Sequence, residues 1–298
     1  MSAMQDDVET GEMVLERILA GSYRKVMLVG PVDSGKTFFA LNAADRLSGA
    51  GRRAALLDFD LGQSTVGPPG CVGLQFPWKR DGERLFPTAM VFLGFASPAY
   101  DVASVVEAGL RLQKKALEGG CETLLIDTSG MVEGRLATLL KRSKIRALQP
   151  DLVVVLEREG EALHIFRGLE EAAYGEIAVM KACPEARRRK REERAAYRRE
   201  RFREYFRSSR ELEIDLGQLE IIATSHRIAA SVDALREGRL VGLDDAESCT
   251  LSLGRVMEAR GAAARLLTPY RGTAEKIARI AIGPALLDPE GNLRIPRT

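Results

Sequence analysis

The stretch "LVGPVDSGKTFF", Leu28 to Phe39, fits G-x-x-x-x-G-K-[ST] at Gly30, Gly35, Lys36 and Thr37. In that pattern backbone N–H groups wrap a nucleotide's phosphates, the Lys reaches the β- and γ-phosphates, and the Thr hydroxyl ligates Mg²⁺. The flanks agree with it. "RKVMLVG" before the loop predicts a buried strand, and "TFFALNAADRLSGAG" after it predicts a helix with Gly just past its end. Strand, glycine loop and helix N-terminus together let a helix dipole hold an anion. Gly30, Pro31, Asp33, Ser34, Gly35, Lys36, Thr37 and Phe38 are therefore the expected nucleotide contacts.

Working outward, apolar runs alternate with amphipathic helical stretches. The strand candidates are "RRAALLDFD", "AMVFLGF", "CETLLIDTSG", "DLVVVLE" and "GEIAVMKA"; between them lie "YDVASVVEAGLRLQKKALEGG" and "GRLATLLKRSKIRAL". The expected fold is α/β, a P-loop domain with a mostly parallel, doubly wound sheet and ligands at the carboxyl ends of its strands. From about Glu211 the texture changes to short strand candidates with Gly and Pro punctuation, which predicts a small mixed or β-rich C-terminal unit over 211–298 after a kinase-type domain over 1–210.

Two further strand ends carry carboxylates. "LLDFDLGQSTVGPPG" ends a strand with Asp58 and Asp60 and runs into an irregular glycine-proline loop. A carboxylate there can hold water on Mg²⁺ or take a proton from an attacking hydroxyl; the alternative is that it caps the turn. "TLLIDTSG" ends in Asp127, in the usual place of the Walker-B carboxylate that reaches Mg²⁺ through water. Thr37, Asp60 and Asp127 are the candidate metal ligands.

The overall net charge of +2 hides an uneven distribution. Residues 187–210, "RRRKREERAAYRRERFREYFRSSR", carry 12 basic residues against four acids. Helical spacing sets Arg187, Arg191, Arg194, Arg198 and Arg201 along one stripe and Phe202 and Phe206 on another. That is a cationic helix anchored by aromatics and suited to an anionic partner, not a disordered tail. No apolar run approaches the roughly 18 residues that cross a bilayer, and the acidic opening is not a signal peptide, so no membrane partner and a cytoplasmic location are expected. Four scattered cysteines without C-x-x-C spacing suggest reduced thiols and no zinc site.

The P-loop class divides by further marks. Guanine-specific enzymes end a later strand in N-K-x-D or T-K-x-D, and partitioning ATPases carry a second Lys early in the loop; this chain has neither. Taken together, "GPVDSGKT", "DFDLGQSTVGPPG", "DTSGMVEG" and "RRERFREYF" resemble the polynucleotide 5′-hydroxyl kinase family, whose eukaryotic members act in mRNA 3′-end cleavage, tRNA splicing and ribosomal RNA processing, with archaeal relatives. The resemblance covers about residues 26–206 and continues more loosely beyond.

It implies an ATP- and Mg²⁺-dependent kinase acting on the 5′-hydroxyl end of RNA or DNA. Lys36 would hold the transferring phosphoryl group, and Asp60 would activate the hydroxyl with Gln63 nearby. Thr128 and Gly130, with Met131, would form the "clasp" on the acceptor's first nucleotides. Residues 184–210 would form the "lid", with Arg194, Arg198 and Arg201 folding over the phosphates. Two departures from the family pattern stand out. Met131 replaces a clasp Trp, which removes a π-face worth about 1–3 kcal/mol per stacked base. The chain also reads as a minimal form without the domain that eukaryotic members carry before the P-loop. Two other readings stay open: a nucleotide-driven regulatory ATPase that binds nucleic acid or a protein, and a small-metabolite kinase. His164, His226 and the turn "GLDDAES" read as surface or packing features, and Trp78 as loop packing or a base-stacking ring.

Overall fold

A strand buried on both faces is a near-continuous apolar run, and the runs KVMLV, TLLID and LVVVLE form such strands. The computed structural model describes residues 8–79, 85–182 and 189–296. Cys183, Arg187 and the first residues of the expected lid, 184–188, lie outside the described residues.

The chain groups into two units. The first comprises Met1–Asp60, Gly73–Thr88 and Val105–Arg189; the second comprises Leu61–Val72, Ala89–Ser104 and Lys190–Thr298. In chain order the elements that begin the first unit are β1 (Val8–Glu9), α1 (Gly11–Ala20), β2 (Lys25–Val29), α2 (Lys36–Gly49) and β3 (Ala54–Asp58). β4 (Cys71–Gln75), β5 (Ala89–Phe92) and α3 (Val102–Glu118) follow where the chain passes between the units. β6 (Thr123–Asp127), α4 (Arg135–Leu148), β7 (Leu152–Glu157) and β8 (Glu176–Lys181) complete the first unit.

Its strands run in the order β1-β8-β7-β2-β6-β3-β4. All neighbouring pairs are parallel except β3 with β4, whose register sets Asp58 against Gly73. β2 lies between β7 and β6, and the chain leaves β2, passes through α2 and returns at β3 on the far side of β6. The loop after β2 and the carboxylates at the ends of β3 and β6 therefore share the carboxyl edge. Asp58 and Asp127 stand opposite each other in register.

α1 follows from local chemistry: Thr10 caps it by accepting the Met13 N–H at 3.2 Å, and Val14, Leu15 and Ile18 form its buried stripe. Arg17 pairs with Glu9 at 2.8 Å and with Glu176, which also accepts from the Tyr23 hydroxyl at 2.8 Å. These contacts tie α1 to β8.

The second unit holds α5 (Arg191–Phe206) and a sheet of β9 (Arg210–Asp215), β10 (Glu220–Ala223), β11 (Arg239–Asp244), β12 (Thr250–Arg260), β13 (Ala263–Thr268), β14 (Arg279–Leu287) and β15 (Leu293–Arg294). Its order is β10-β14-β11-β12-β13-β9, with β15 beside β14. Alternation gives this sheet two apolar faces. Val241, Leu243, Val256, Ile280 and Ile282 pack on one; Leu240, Leu253 and Ala281 pack on the other with Met90, Phe92 and Phe202. The turn "GLDDAES" is a β11–β12 hairpin in which Asp245 accepts the N–H groups of Glu247 and Cys249, both at 2.9 Å. No described helix is long and apolar enough to cross a membrane.

Phe202 is fully buried and is the side chain by which α5 enters this core. Phe202→Ala is expected to cost about 3–5 kcal/mol, read as a fall in the urea midpoint followed by circular dichroism. A change no larger than that of an exposed substitution such as Arg199→Ala would contradict this packing.

Candidate active site

The loop after β2 has the backbone that a phosphate cradle needs. Gly30 passes so close to β7 that an added Cβ would lie 2.4 Å from the Leu156 carbonyl oxygen. Gly35 has φ 94° and Asp33 φ 54°, so both turn through the left-handed region before α2 begins at Lys36. Asp33 is held from two sides: its carbonyl accepts from Arg158 Nη2 at 2.6 Å and its carboxylate accepts the Arg189 N–H at 2.7 Å. Ser34 is buried, whereas Phe38 projects from the first turn of α2 and is 74% exposed.

Lys36 is buried and its ammonium donates to the Pro31 carbonyl at 2.5 Å and to Ser34 Oγ at 3.3 Å. Burial lowers its pKa, against the opposing pull of Asp127, Asp60 and Asp33. Thr37 Oγ1 donates to Asp127 Oδ2 at 2.6 Å, which joins the start of α2 to the end of β6. Burial raises the Asp127 carboxyl, with Lys36 and the Thr37 hydroxyl working the other way.

Asp127 Oδ1 is buried and has no hydrogen-bond partner among the described residues. An orphaned carboxylate oxygen beside a Thr hydroxyl is a hard-oxygen donor set, and it fits Mg²⁺. Asp58 is buried and accepts the Asp60 N–H at 2.8 Å, so it caps the turn after β3. Asp60, one residue beyond Phe59, is half-buried.

The positions expected to form the clasp follow Asp127. Thr128 is buried; its hydroxyl donates to the Leu28 carbonyl at 2.6 Å and accepts from Lys141 Nζ at 2.7 Å. Gly130 packs on the P-loop, where an added Cβ would lie 2.4 Å from Val32 Cα. Met131 is half-buried. A cavity of about 490 Å³ opens beside Ser34 and Gly35, walled by Leu15, Phe39, Leu156 and Met180 with Glu12 and Asn42 at its polar side.

Residues 30–208 match the family described as the mRNA cleavage and polyadenylation factor CLP1 P-loop. The chain belongs to that family. It is 33% identical over 202 residues to a polyribonucleotide 5′-hydroxyl-kinase of Pyrococcus horikoshii, covering 67% of this chain and 54% of that protein. A polyribonucleotide 5′-hydroxyl-kinase of Methanocaldococcus jannaschii is 31% identical over 203 residues, covering 67% and 55%. A protein CLP1 homolog of Nematostella vectensis is 30% identical over 202 residues, covering 61% and 44%. The chain thus spans about half the length of the curated relatives it matches. The fold is that of the structure of wild-type Clp1p in complex with Pcf11p, with TM-score 0.71 at 14% identity over 92% of this chain and 77% of that one. P-loop kinases of this family use a nucleotide.

In this CLP1-family chain the basic helix is ordered by the second unit. Tyr197 Oη donates to the Ser64 carbonyl at 3.0 Å, and Arg201 Nη2 donates to the Gly67 carbonyl at 3.0 Å. Tyr205 Oη accepts the Leu253 N–H at 3.0 Å. The helix therefore grips the glycine-proline loop that carries Gln63, itself half-buried. Arg194, Arg198 and Arg201 are half-buried along one stripe, and Arg191, Arg199 and Arg203 are exposed. Trp78 donates to Asp45 Oδ1 at 2.8 Å and is buried, so it packs the loop. Exposed His226 sits 3.3 Å from the buried Asp101.

Sequence reasoning missed Arg158, Lys141 and Lys144. Arg158 follows an apolar strand in "VVVLER", which is the place for a loop clamp. The two lysines left a weaker signal: they occupy positions on α4 whose i, i+3 and i+4 neighbours Ala137, Leu140, Ile145 and Leu148 are buried. Both are fully buried. Lys144 Nζ has no hydrogen-bond partner among the described residues and lies 4.0 Å from the centre of the Phe59 ring. Gly109 of α3 leaves room for that ring, because an added Cβ would lie 2.0 Å from it.

Burial pushes the Lys144 ammonium down to about 7, against the attraction of Asp60, Asp58 and Asp127. Unfolded, it keeps its proton to about pH 10.4. Between about pH 7 and about pH 10 the unfolded chain therefore binds more protons, and stability rises with pH; below that window the cost of the buried ammonium is fully present. Lys144→Met should flatten the rise, measured as urea midpoints across the window. A parallel pH dependence in wild type and variant would count against it.

Proposed function

We propose that the chain is an ATP-dependent, Mg²⁺-assisted kinase that phosphorylates the 5′-hydroxyl end of RNA or DNA in the cytoplasm. The observation that carries the reading is the Thr37–Asp127 bond at the mouth of the P-loop, with Lys36 buried beside it and Asp60 past the next strand over. Membership of the CLP1 P-loop family supports it.

In this reading Lys36 leaves the Pro31 carbonyl for the β- and γ-phosphates, and the loop's N–H groups take the remaining oxygens. The donor's base enters the cavity walled by Leu15, Phe39, Leu156 and Met180, which is continuous with the cradle through Ser34 and Gly35. Thr37, Asp127 and Asp60 would hold Mg²⁺, which when bound neutralises charge on the β- and γ-phosphate oxygens. Asp60 accepts the proton of the attacking hydroxyl, with Gln63 orienting it. Thr128, Gly130 and Met131 form the acceptor's clasp, and Arg194, Arg198 and Arg201 neutralise the transferring group. A loose transition state asks for this positioning and charge, and little covalent chemistry.

The test is incubation with γ-labelled ATP and 5′-hydroxyl oligonucleotides, RNA and DNA side by side. Label should appear on the 5′ end, and Lys36→Ala should abolish it. ATP hydrolysis stimulated by oligonucleotide without label transfer would favour the regulatory ATPase, and label on a small metabolite would favour the other kinase.

The arginines separate the readings further. Arg194→Ala, Arg198→Ala or Arg201→Ala should cut kcat at saturating oligonucleotide, with a smaller change in affinity, as loss of transition-state neutralisation does. A uniform, salt-sensitive loss of affinity with kcat untouched at every position would make α5 a nucleic-acid patch only.

A further inference from the structure

Lys141 is a polar side chain where an amphipathic helix would ordinarily place Leu or Met. It is fully buried on the core-facing stripe of α4, and burial together with neighbouring Lys144 lowers its pKa well below the usual lysine value. A buried ammonium is costly, and an apolar side chain of similar volume is often as stable or more so. Its contacts point to what holds it there. Lys141 Nζ donates to Thr128 Oγ1 at 2.7 Å and to the Ser129 carbonyl. Thr128 Oγ1 in turn donates a hydrogen bond to the Leu28 carbonyl at 2.6 Å. Leu28 lies in β2, two residues before Gly30.

A single polar relay therefore runs from α4 through the clasp residues to the strand that launches the P-loop. Gly130, next along, lies against Val32 with no room for a side chain. The donor side has separate anchors: Lys36 on Pro31, and Arg158 and the Arg189 N–H on Asp33.

We infer that Lys141 is a positioning residue for the acceptor: by bonding Thr128 Oγ1 and the Ser129 carbonyl from beneath, it fixes the clasp against the P-loop and so aligns the 5′-hydroxyl with the donor phosphate. This rests on the kinase reading above. The Thr128 hydroxyl, spent inside this relay, then serves the acceptor through the loop backbone it holds.

The experiment compares Lys141→Met, Thr128→Val and the double variant with wild type. Readouts are kcat and KM for a 5′-hydroxyl oligonucleotide, KM for ATP, and hydrogen exchange of the amides of residues 128–132. Both single variants should lose up to about 10²-fold in kcat/KM for the oligonucleotide, the scale of a misplaced reactant. KM for ATP should stay within about threefold, a loss smaller than the tenfold that 1.4 kcal/mol represents. Clasp exchange should rise, and the double variant should be no worse than Lys141→Met alone, because both cut one relay. Additive losses, an equal loss on the ATP side, or an unchanged acceptor KM and kcat would overturn the assignment. If Lys141→Met does not fold, Thr128→Val, which keeps the shape and removes the hydroxyl, decides by the same acceptor-only loss. If the wild-type chain labels no oligonucleotide, the kinase reading fails first, and clasp exchange unchanged by Lys141→Met would then overturn the positioning role independently.

Discussion

The bond from Thr37 Oγ1 to Asp127 Oδ2, 2.6 Å long, joins the phosphate cradle to the rest of the sheet. It requires that β2 and β6 be neighbours, that the chain cross from β2 to β3 beyond β6, and that α2 begin at Lys36. Each requirement is met by sequence-local chemistry: apolar runs for the strands, glycine conformations for the loop, and a helix that starts at the motif's lysine. Once that bond forms, the orphaned Asp127 Oδ1, the Lys36 ammonium and the carboxylates past β3 share one carboxyl edge.

Charge burial is the second constraint. Lys36, Lys141, Lys144, Asp58 and Asp127 are all buried in the first unit. Isolated, each would be costly. Two of the lysines rest on hydrogen-bond acceptors, Lys36 on the Pro31 carbonyl and Lys141 on Thr128 Oγ1 and the Ser129 carbonyl, whereas Lys144 lies over the Phe59 ring. Burial shifts the lysines and Asp127 towards their neutral forms: it lowers the pKa of Lys36, Lys141 and Lys144 and raises that of Asp127.

The strand, loop and helix around Gly30–Thr37 were legible because three independent patterns coincide there. Asp127 at the end of TLLID and the aromatic-anchored α5 were legible for the same reason, and so was the β-rich texture of the C-terminal strands. β1 and α1 were not: a two-residue strand has no periodicity, and the acidic opening hides the Thr10 cap with the Val14, Leu15 and Ile18 stripe. β4 was obscured because Cys71–Gln75 follows a glycine-proline loop and pairs antiparallel, against the trend of the sheet. Lys141 and Lys144 of "LLKRSKI" were not singled out, because a lysine's burial is decided by partners that sequence spacing does not reveal. The grouping of residues 61–72 and 89–104 with the C-terminal strands reflects contacts across long sequence separations, which no local pattern encodes.

In the proposed mechanism Asp60 separates binding a nucleotide from using it. The direct measurement is single-turnover transfer from ATP to a 5′-hydroxyl oligonucleotide by Asp60→Asn, alongside its ATP affinity. The amide keeps the carboxylate's shape but cannot accept the hydroxyl proton. Transfer should slow by about 10²–10⁴-fold, the range of lost general-base catalysis, with ATP affinity close to wild type. Transfer at the wild-type rate would contradict it.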